Sequence, residues 1–205
     1  NPYYIDITDN WTFLKNGKRF VMTSEEDGYN DIYLCSMDGD KKKQLTDGDW
    51  DVTEAYGFDG KEVYFQAAKN SSIERQIYAV NLNGKMRTLI NKVGTNHATF
   101  SSNYKYLINV NSSVDQPRQY VLFDNKGKQV RVLEDNHEFV ERMKEYNMAK
   151  KEFVTITDPA FVLPDGTQLE MMTWRILPPD FDSTKQYPVL IYVYGGPGHQ
   201  TVNNA

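Results

Sequence analysis

Acyl transfer through a serine needs a nucleophile, a base, an acid that orients the base, and donors for the oxyanion. The chain has nine serines, and none stands in the Gly-x-Ser-x-Gly frame that presents a nucleophile on a strand-to-helix elbow. Its three histidines, His97, His137 and His199, are scattered, with no metal-ligand spacing among them. What the chain does carry is a phenol, Tyr194, at the end of its most apolar stretch and directly before Gly195-Gly196-Pro197-Gly198. A phenol at a strand end beside a glycine turn can point into a cleft, and it can equally be a plain strand-end aromatic. The residues alone leave both readings open. His199 follows the turn and reads as a loop residue that could also line a cleft.

Other polar constellations lead less far. Glu25-Glu26 sits in "TSEEDGYN", a solvated loop between strands. Asp47 to Asp51 begins like a calcium loop, but Val52 occupies the position that must be glycine and Phe58 the position of the bidentate glutamate. A turn between repeats is the better reading, with Trp50 packed inside. Cys35 stands alone, which excludes a disulfide framework and a CxxC metal site and makes it a small core residue. Three Asn-x-Ser/Thr triplets, at Asn10, Asn70 and Asn111, match the glycosylation acceptor pattern, which carries little weight without the host. Net charge is −5, and the one basic cluster, Lys41-Lys42-Lys43, follows Asp38-Gly39-Asp40 as a hairpin tip, so nucleic acid is not an expected partner. No metal or cofactor is expected. No apolar run approaches the length of a membrane span, and Asn1-Pro2-Tyr3-Tyr4 does not open a signal peptide.

A repeat organises the elements that would position any site. Ile32-Tyr33 recurs 45 residues on at Ile77-Tyr78, and Tyr78 recurs 42 residues on at Tyr120. Asp38-Gly39 steps with them to Asn83-Gly84 and Lys126-Gly127. Each unit reads as a short aromatic segment, an apolar strand, a polar loop, a strand on Ile-Tyr or Tyr-Val, a tight glycine turn and a closing strand. Four short strands in ~40–45 residues are the signature of a propeller blade. The expected fold is therefore mainly β, a partial β-propeller of about three four-stranded blades between Trp11 and Leu133. Propellers use about 4–8 blades, so a fragment is expected.

After "RVLEDN" the texture changes. "HEFVERMKEYNMAKKE" has helical apolar spacing with Asn136 as its N-cap. "EFVTI" reads as a strand, and a hairpin follows around Pro164-Asp165-Gly166. Pro188 to Tyr194 is apolar without alternation, as in a strand buried on both faces of a parallel sheet. The expected divisions are blades over residues 1–135, a linker helix over 136–152, and the opening of an α/β domain over 153–205.

The junction "RVLEDN", helix, "LPPDFDSTKQYPVLIYVYGGPG" resembles that of the prolyl oligopeptidase family of serine peptidases, in its dipeptidyl peptidase IV branch. The resemblance covers the whole chain. Animal members of that branch carry alanine and cysteine where this chain has Gly195 and Gly198. The resemblance implies that residues 153–205 open an α/β-hydrolase domain and that the intact protein releases N-terminal dipeptides, after a penultimate proline, through an acyl-enzyme. It implies that Tyr194 donates its hydroxyl to the oxyanion. It places the nucleophile, the acid and the base after residue 205, so this chain alone is expected to be inactive. It also implies a peptide substrate with a free N-terminus, a periplasmic, envelope or extracellular site, and room for a homodimer. The branch's amine-gripping glutamate pair belongs upstream of this chain, which leaves Glu25-Glu26 as a loop. The competing reading is a non-catalytic propeller used for binding, which would close its ring and append no buried strand.

Overall fold

The computed structural model describes residues 9–163, 165–196 and 199–205. The chain divides into two compact units, one ending at Asp135 and the other Asn136–Asn204. The first unit holds three four-stranded antiparallel sheets, each a simple meander. Blade 1 is β1 (Thr12–Phe13), β2 (Arg19–Ser24), β3 (Asp31–Ser36) and β4 (Lys42–Gln44); blade 2 is β5 (Val52–Phe58), β6 (Glu62–Ala67), β7 (Gln76–Asn81) and β8 (Met86–Ile90). Blade 3 is β9 (Thr95–Phe100), β10 (Tyr106–Ser113), β11 (Gln116–Asp124) and β12 (Gln129–Glu134).

The turn between the third and fourth strands is built alike in each blade. Asn81 Oδ1 accepts the N–H groups of Asn83 and Lys85 at 2.9 and 3.0 Å, and Asp124 Oδ1 accepts those of Lys126 and Lys128, both at 2.9 Å. Ser36 takes the same place in blade 1, its Oγ accepting the Lys41 N–H at 2.9 Å. Short polar side chains that satisfy turn amides in this way free the flanking strands to pair. Gly127 closes the blade 3 turn at φ 84°, and a Cβ there would collide with the Leu89 carbonyl of blade 2. The turn thus needs glycine twice, for its left-handed backbone and for its seat against the neighbouring blade.

Blade 2 supplies the centre of the core. Val63, Phe65, Tyr78 and Val80 pack toward blade 1 against Val21, Ile32, Leu34 and Trp50. The alternate residues Tyr64, Ile77 and Ala79 pack toward blade 3 against Leu107, Val121 and Phe123. The period of two along each strand makes this two-sided burial possible. Burying a side chain such as Ile32 or Ile77 is worth about 1.5–3 kcal/mol. Polar bonds pin the second seam: Gln66 Nε2 donates to the Asn96 carbonyl at 2.6 Å, and the Asn96 N–H donates to the Arg75 carbonyl at 3.0 Å. Arg87 Nη2 bridges Glu62 Oε2 at 2.7 Å and the Asn125 carbonyl at 2.8 Å. The faces of blades 1 and 3 that point away from blade 2 stay open, with Phe13 60% and Tyr106 48% exposed.

The second unit departs from expectation in three places. The helix α1 covers only His137–Met143, with none of its residues buried, where a helix to residue 152 was expected. So short a helix needs tertiary packing to extend, and Phe139, Tyr146 and Met148 pack no deeper than half-exposed. Asn136 does cap it, but from a left-handed conformation at φ 55° and without a side-chain cap bond. "EFVTI" and the hairpin's first strand are one element, β13 (Lys151–Val162), paired with β14 (Gln168–Ile176) across a bulge. The turn between them is closed by Gly166, whose N–H donates to the Leu163 carbonyl at 2.9 Å; Pro164 lies outside the described residues.

The third departure is the largest. Pro188 to Tyr194, expected as a doubly buried strand, forms no strand, and Leu190 is 95% exposed. A parallel strand exists only through the ladder its neighbours supply. Among the described residues nothing pairs with it, so its composition names an environment this unit does not provide.

Two outcomes follow. Gly127→Ala combines left-handed strain with a backbone collision and should cost about 3 kcal/mol, against about 1 kcal/mol for Gly60→Ala, whose φ is 103° but whose surroundings are open. Urea unfolding of both variants measures the difference, and equal losses would contradict the packing described for the blade 3 turn. In hydrogen exchange, the amides of Val189–Val193 should exchange at nearly unfolded rates while those of β6 and β7 are protected. Comparable protection in both would mean that the apolar run is paired.

Candidate functional site

The geometry around Tyr194 is set within six residues. Tyr194 is 58% exposed. Its ring meets that of His199 at 4.5 Å between centroids and 69° between planes, an edge-on contact. The His199 N–H reaches the Gly196 carbonyl at 3.4 Å. Gly196 leaves room for the phenol: a Cβ there would lie 2.8 Å from Tyr194 Cε1 and 3.0 Å from its hydroxyl oxygen. Pro197 and Gly198, the rest of the glycine turn, lie outside the described residues. The arrangement is a hydroxyl donor held over a bare backbone. Such a donor can stabilise negative charge developing on a carbonyl oxygen, an effect worth about 3–4 kcal/mol of barrier where it is oriented.

The other histidines lie apart from this turn in sequence and element. His137 is the first residue of α1. His97, on β9, places Nδ1 3.0 Å from Glu54 Oε2 on β5, so the pair joins the first strands of two blades. Tyr56 lies beside them, its ring 5.8 Å from that of His97 and its hydroxyl accepting the Ala98 N–H at 3.2 Å. Burial, chiefly, and the nearby Glu54 carboxylate push this phenol above the ordinary tyrosine range, against the lowering effect of the Ala98 bond. Tyr56 is therefore a neutral acceptor in a structural seam. Sequence reasoning did not single out this trio. Its signal is in the repeat, because Glu54 and His97 occupy equivalent positions 43 residues apart. Tyr56 also borders a cleft of about 190 Å³ lined by Asp9, Trp11, Thr23 and Val63 among others.

The remaining candidates fall into structural roles. Glu26 pairs with Lys42 across the blade 1 sheet, as a solvated loop does. Trp50 is buried, stacked on Phe65 at 6.4 Å, with Lys69 Nζ 5.0 Å over its ring; the Asp47–Asp51 stretch is the inter-blade turn. Asp51 Oδ1 accepts the Asn30 N–H at 2.8 Å. Cys35 is buried in β3. Asn10 and Asn70 are exposed, whereas Asn111 is buried and donates from Nδ2 to the Val93 carbonyl at 3.0 Å, which removes it as an acceptor in the folded chain. Among the described residues no cluster of three or more His, Cys, Asp or Glu could hold a metal ion, and no helix is long and apolar enough to cross a membrane.

Gly196→Ala should displace the Tyr194 phenol, because the flexible ring yields before the backbone does. The ring resonances of Tyr194, identified by their loss in Tyr194→Phe, should move in Gly196→Ala and stay in place in Gly195→Ala, where a Cβ meets nothing. Unmoved resonances in Gly196→Ala would mean that the phenol does not rest on this turn.

Three comparisons bear on the chain. A family model described as "Dipeptidyl peptidase IV (DPP IV) N-terminal region" matches residues 1–118. Dipeptidyl peptidase 4 of Arthroderma otae is 35% identical over 198 residues, covering 93% of this chain and 24% of the relative. The enzyme of the same name from Trichophyton rubrum matches at 35% with the same coverage. The crystal structure of Porphyromonas gingivalis dipeptidyl peptidase 4 superposes with a TM-score of 0.85 at 40% identity, over 95% of this chain and 27% of that one. The chain thus spans about a quarter of the length of the relatives it matches.

Proposed function

The chain belongs to the dipeptidyl peptidase IV family, and on that footing we propose that it is a segment of a serine-type exopeptidase in which Tyr194 is the oxyanion-hole donor. The intact enzyme releases N-terminal dipeptides, with proline at the penultimate position, from peptides that have a free N-terminus. Residues 1–135 contribute propeller blades, and residues 153–205 open the α/β-hydrolase domain. The enzyme works in the periplasm, at the cell envelope or outside the cell. The observation that carries the site assignment is the Tyr194 hydroxyl poised over Gly196, in a chain that aligns with dipeptidyl peptidases 4 over 93% of its length.

In this reading a serine hydroxyl from the rest of the protein gives its proton to the base and attacks the carbonyl carbon of the substrate's second residue. The carbonyl π electrons move onto oxygen, and the tetrahedral oxyanion forms. The Tyr194 O–H donates to that oxygen. The bond strengthens as the charge develops, so it lowers the barrier without tightening ground-state binding. Collapse expels the amine of the shortened peptide, which takes the proton back from the base, and leaves the dipeptide on the serine as an ester, which water then hydrolyses. Serine, base and orienting acid are assigned to the sequence that the longer relatives have and residues 1–205 do not.

The test uses the full-length enzyme and a Gly-Pro chromogenic dipeptide. Tyr194→Phe should lower kcat about 100-fold or more while KM changes little. A kcat within twofold of the parent would remove Tyr194 from the mechanism. The 205-residue chain by itself should give no turnover sensitive to a serine-directed phosphonate, and such turnover would place a nucleophile within it.

A further inference from the structure

An oxyanion donor works only if its hydroxyl is held within roughly 0.5 Å of the productive position. Tyr194 is 58% exposed, so burial does not immobilise its ring. Two neighbours do constrain it. Gly196 lies beneath the phenol and lets it approach the backbone. His199 also meets it, with its ring at 69° to the phenol and 4.5 Å away between centroids. The His199 N–H to Gly196 carbonyl bond, at 3.4 Å, ties that ring to the same turn. Edge-on aromatic pairs are attractive because the positive rim of one ring meets the negative face of the other, and the attraction depends on orientation.

We infer that His199 is a positioning residue for the reaction. Its imidazole braces the Tyr194 phenol in the orientation from which the hydroxyl meets the oxyanion, and it does not itself touch substrate. The inference rests on Tyr194 being the oxyanion donor. A brace of this kind differs in its consequences from a loop residue. Its removal should loosen a donor that matters in the transition state, so kcat should fall while KM holds. The effect should also vanish when the hydroxyl is already gone. An aromatic replacement should preserve it, because the contact needs a ring edge and not a titratable group.

Two measurements test the assignment. In the 205-residue chain carrying ring-labelled tyrosine, His199→Ala should shift the Tyr194 ring resonances, and His199→Phe should reverse most of that shift, with the blade resonances unchanged. In the full-length enzyme, His199→Ala should lower kcat about three- to tenfold with KM within twofold, and His199→Phe should restore most of the loss. Added to Tyr194→Phe, His199→Ala should cost nothing more. An impaired Tyr194→Phe beside a parental His199→Ala would overturn the role of His199 alone. So would an equal loss from His199→Ala in both backgrounds, or unmoved Tyr194 resonances. A parental kcat for Tyr194→Phe would instead overturn the oxyanion assignment and with it the brace.

Discussion

A four-stranded sheet with apolar residues on both faces is stable only with another layer on each side. Blade 2 meets that condition inside this chain, and the order of the first unit depends on it. Along β6 and β7 successive side chains go to opposite neighbours, so one strand feeds two cores: Phe65 and Tyr78 toward blade 1, Tyr64 and Ile77 toward blade 3. Burial then declines outward. The central strands of blade 2 are almost wholly enclosed, whereas every residue of β12 is exposed. The seam with blade 3 also carries polar groups that cannot be left unpaired. The bonds of Gln66 and Arg75 to Asn96, and the bridge from Arg87 to Glu62 and Asn125, tie the two blades in one register.

The Tyr194 site follows a different logic. Its shape comes from one glycine without a side chain, one backbone hydrogen bond and one ring contact, all within Tyr194–His199. Local geometry of this kind can place a hydroxyl without a surrounding core. Fixing the hydroxyl tightly is harder, which is why a second aromatic ring matters there. The exposed run before it, up to 95% at Leu190, carries side chains made for burial and, among the described residues, meets no ladder that would bury them.

Much of this was legible in the residues, for reasons that are local. Positive φ at a tight turn demands Gly, so Gly39, Gly84 and Gly127 announced the blade turns and with them the meander. Tyr194 could be named as a candidate because a phenol before Gly-Gly is a short-range pattern. Less was legible wherever an element depends on distant partners. The helix stops at Met143, and none of its apolar positions is buried. The Glu54–His97 pair was hidden because only the stacking of blades brings positions 43 residues apart to 3.0 Å.

By itself the sequence determined the repeat, the turn chemistry, the blade count and the Tyr-Gly-Gly run, all of which follow from backbone sterics and periods of a few residues. The tertiary structure alone decided which apolar strands became strands. The same kind of run is buried at "QIYAVN" and bare at "VLIYVY", because a strand acquires its hydrogen bonds and its dry surroundings from neighbours that its own residues cannot supply.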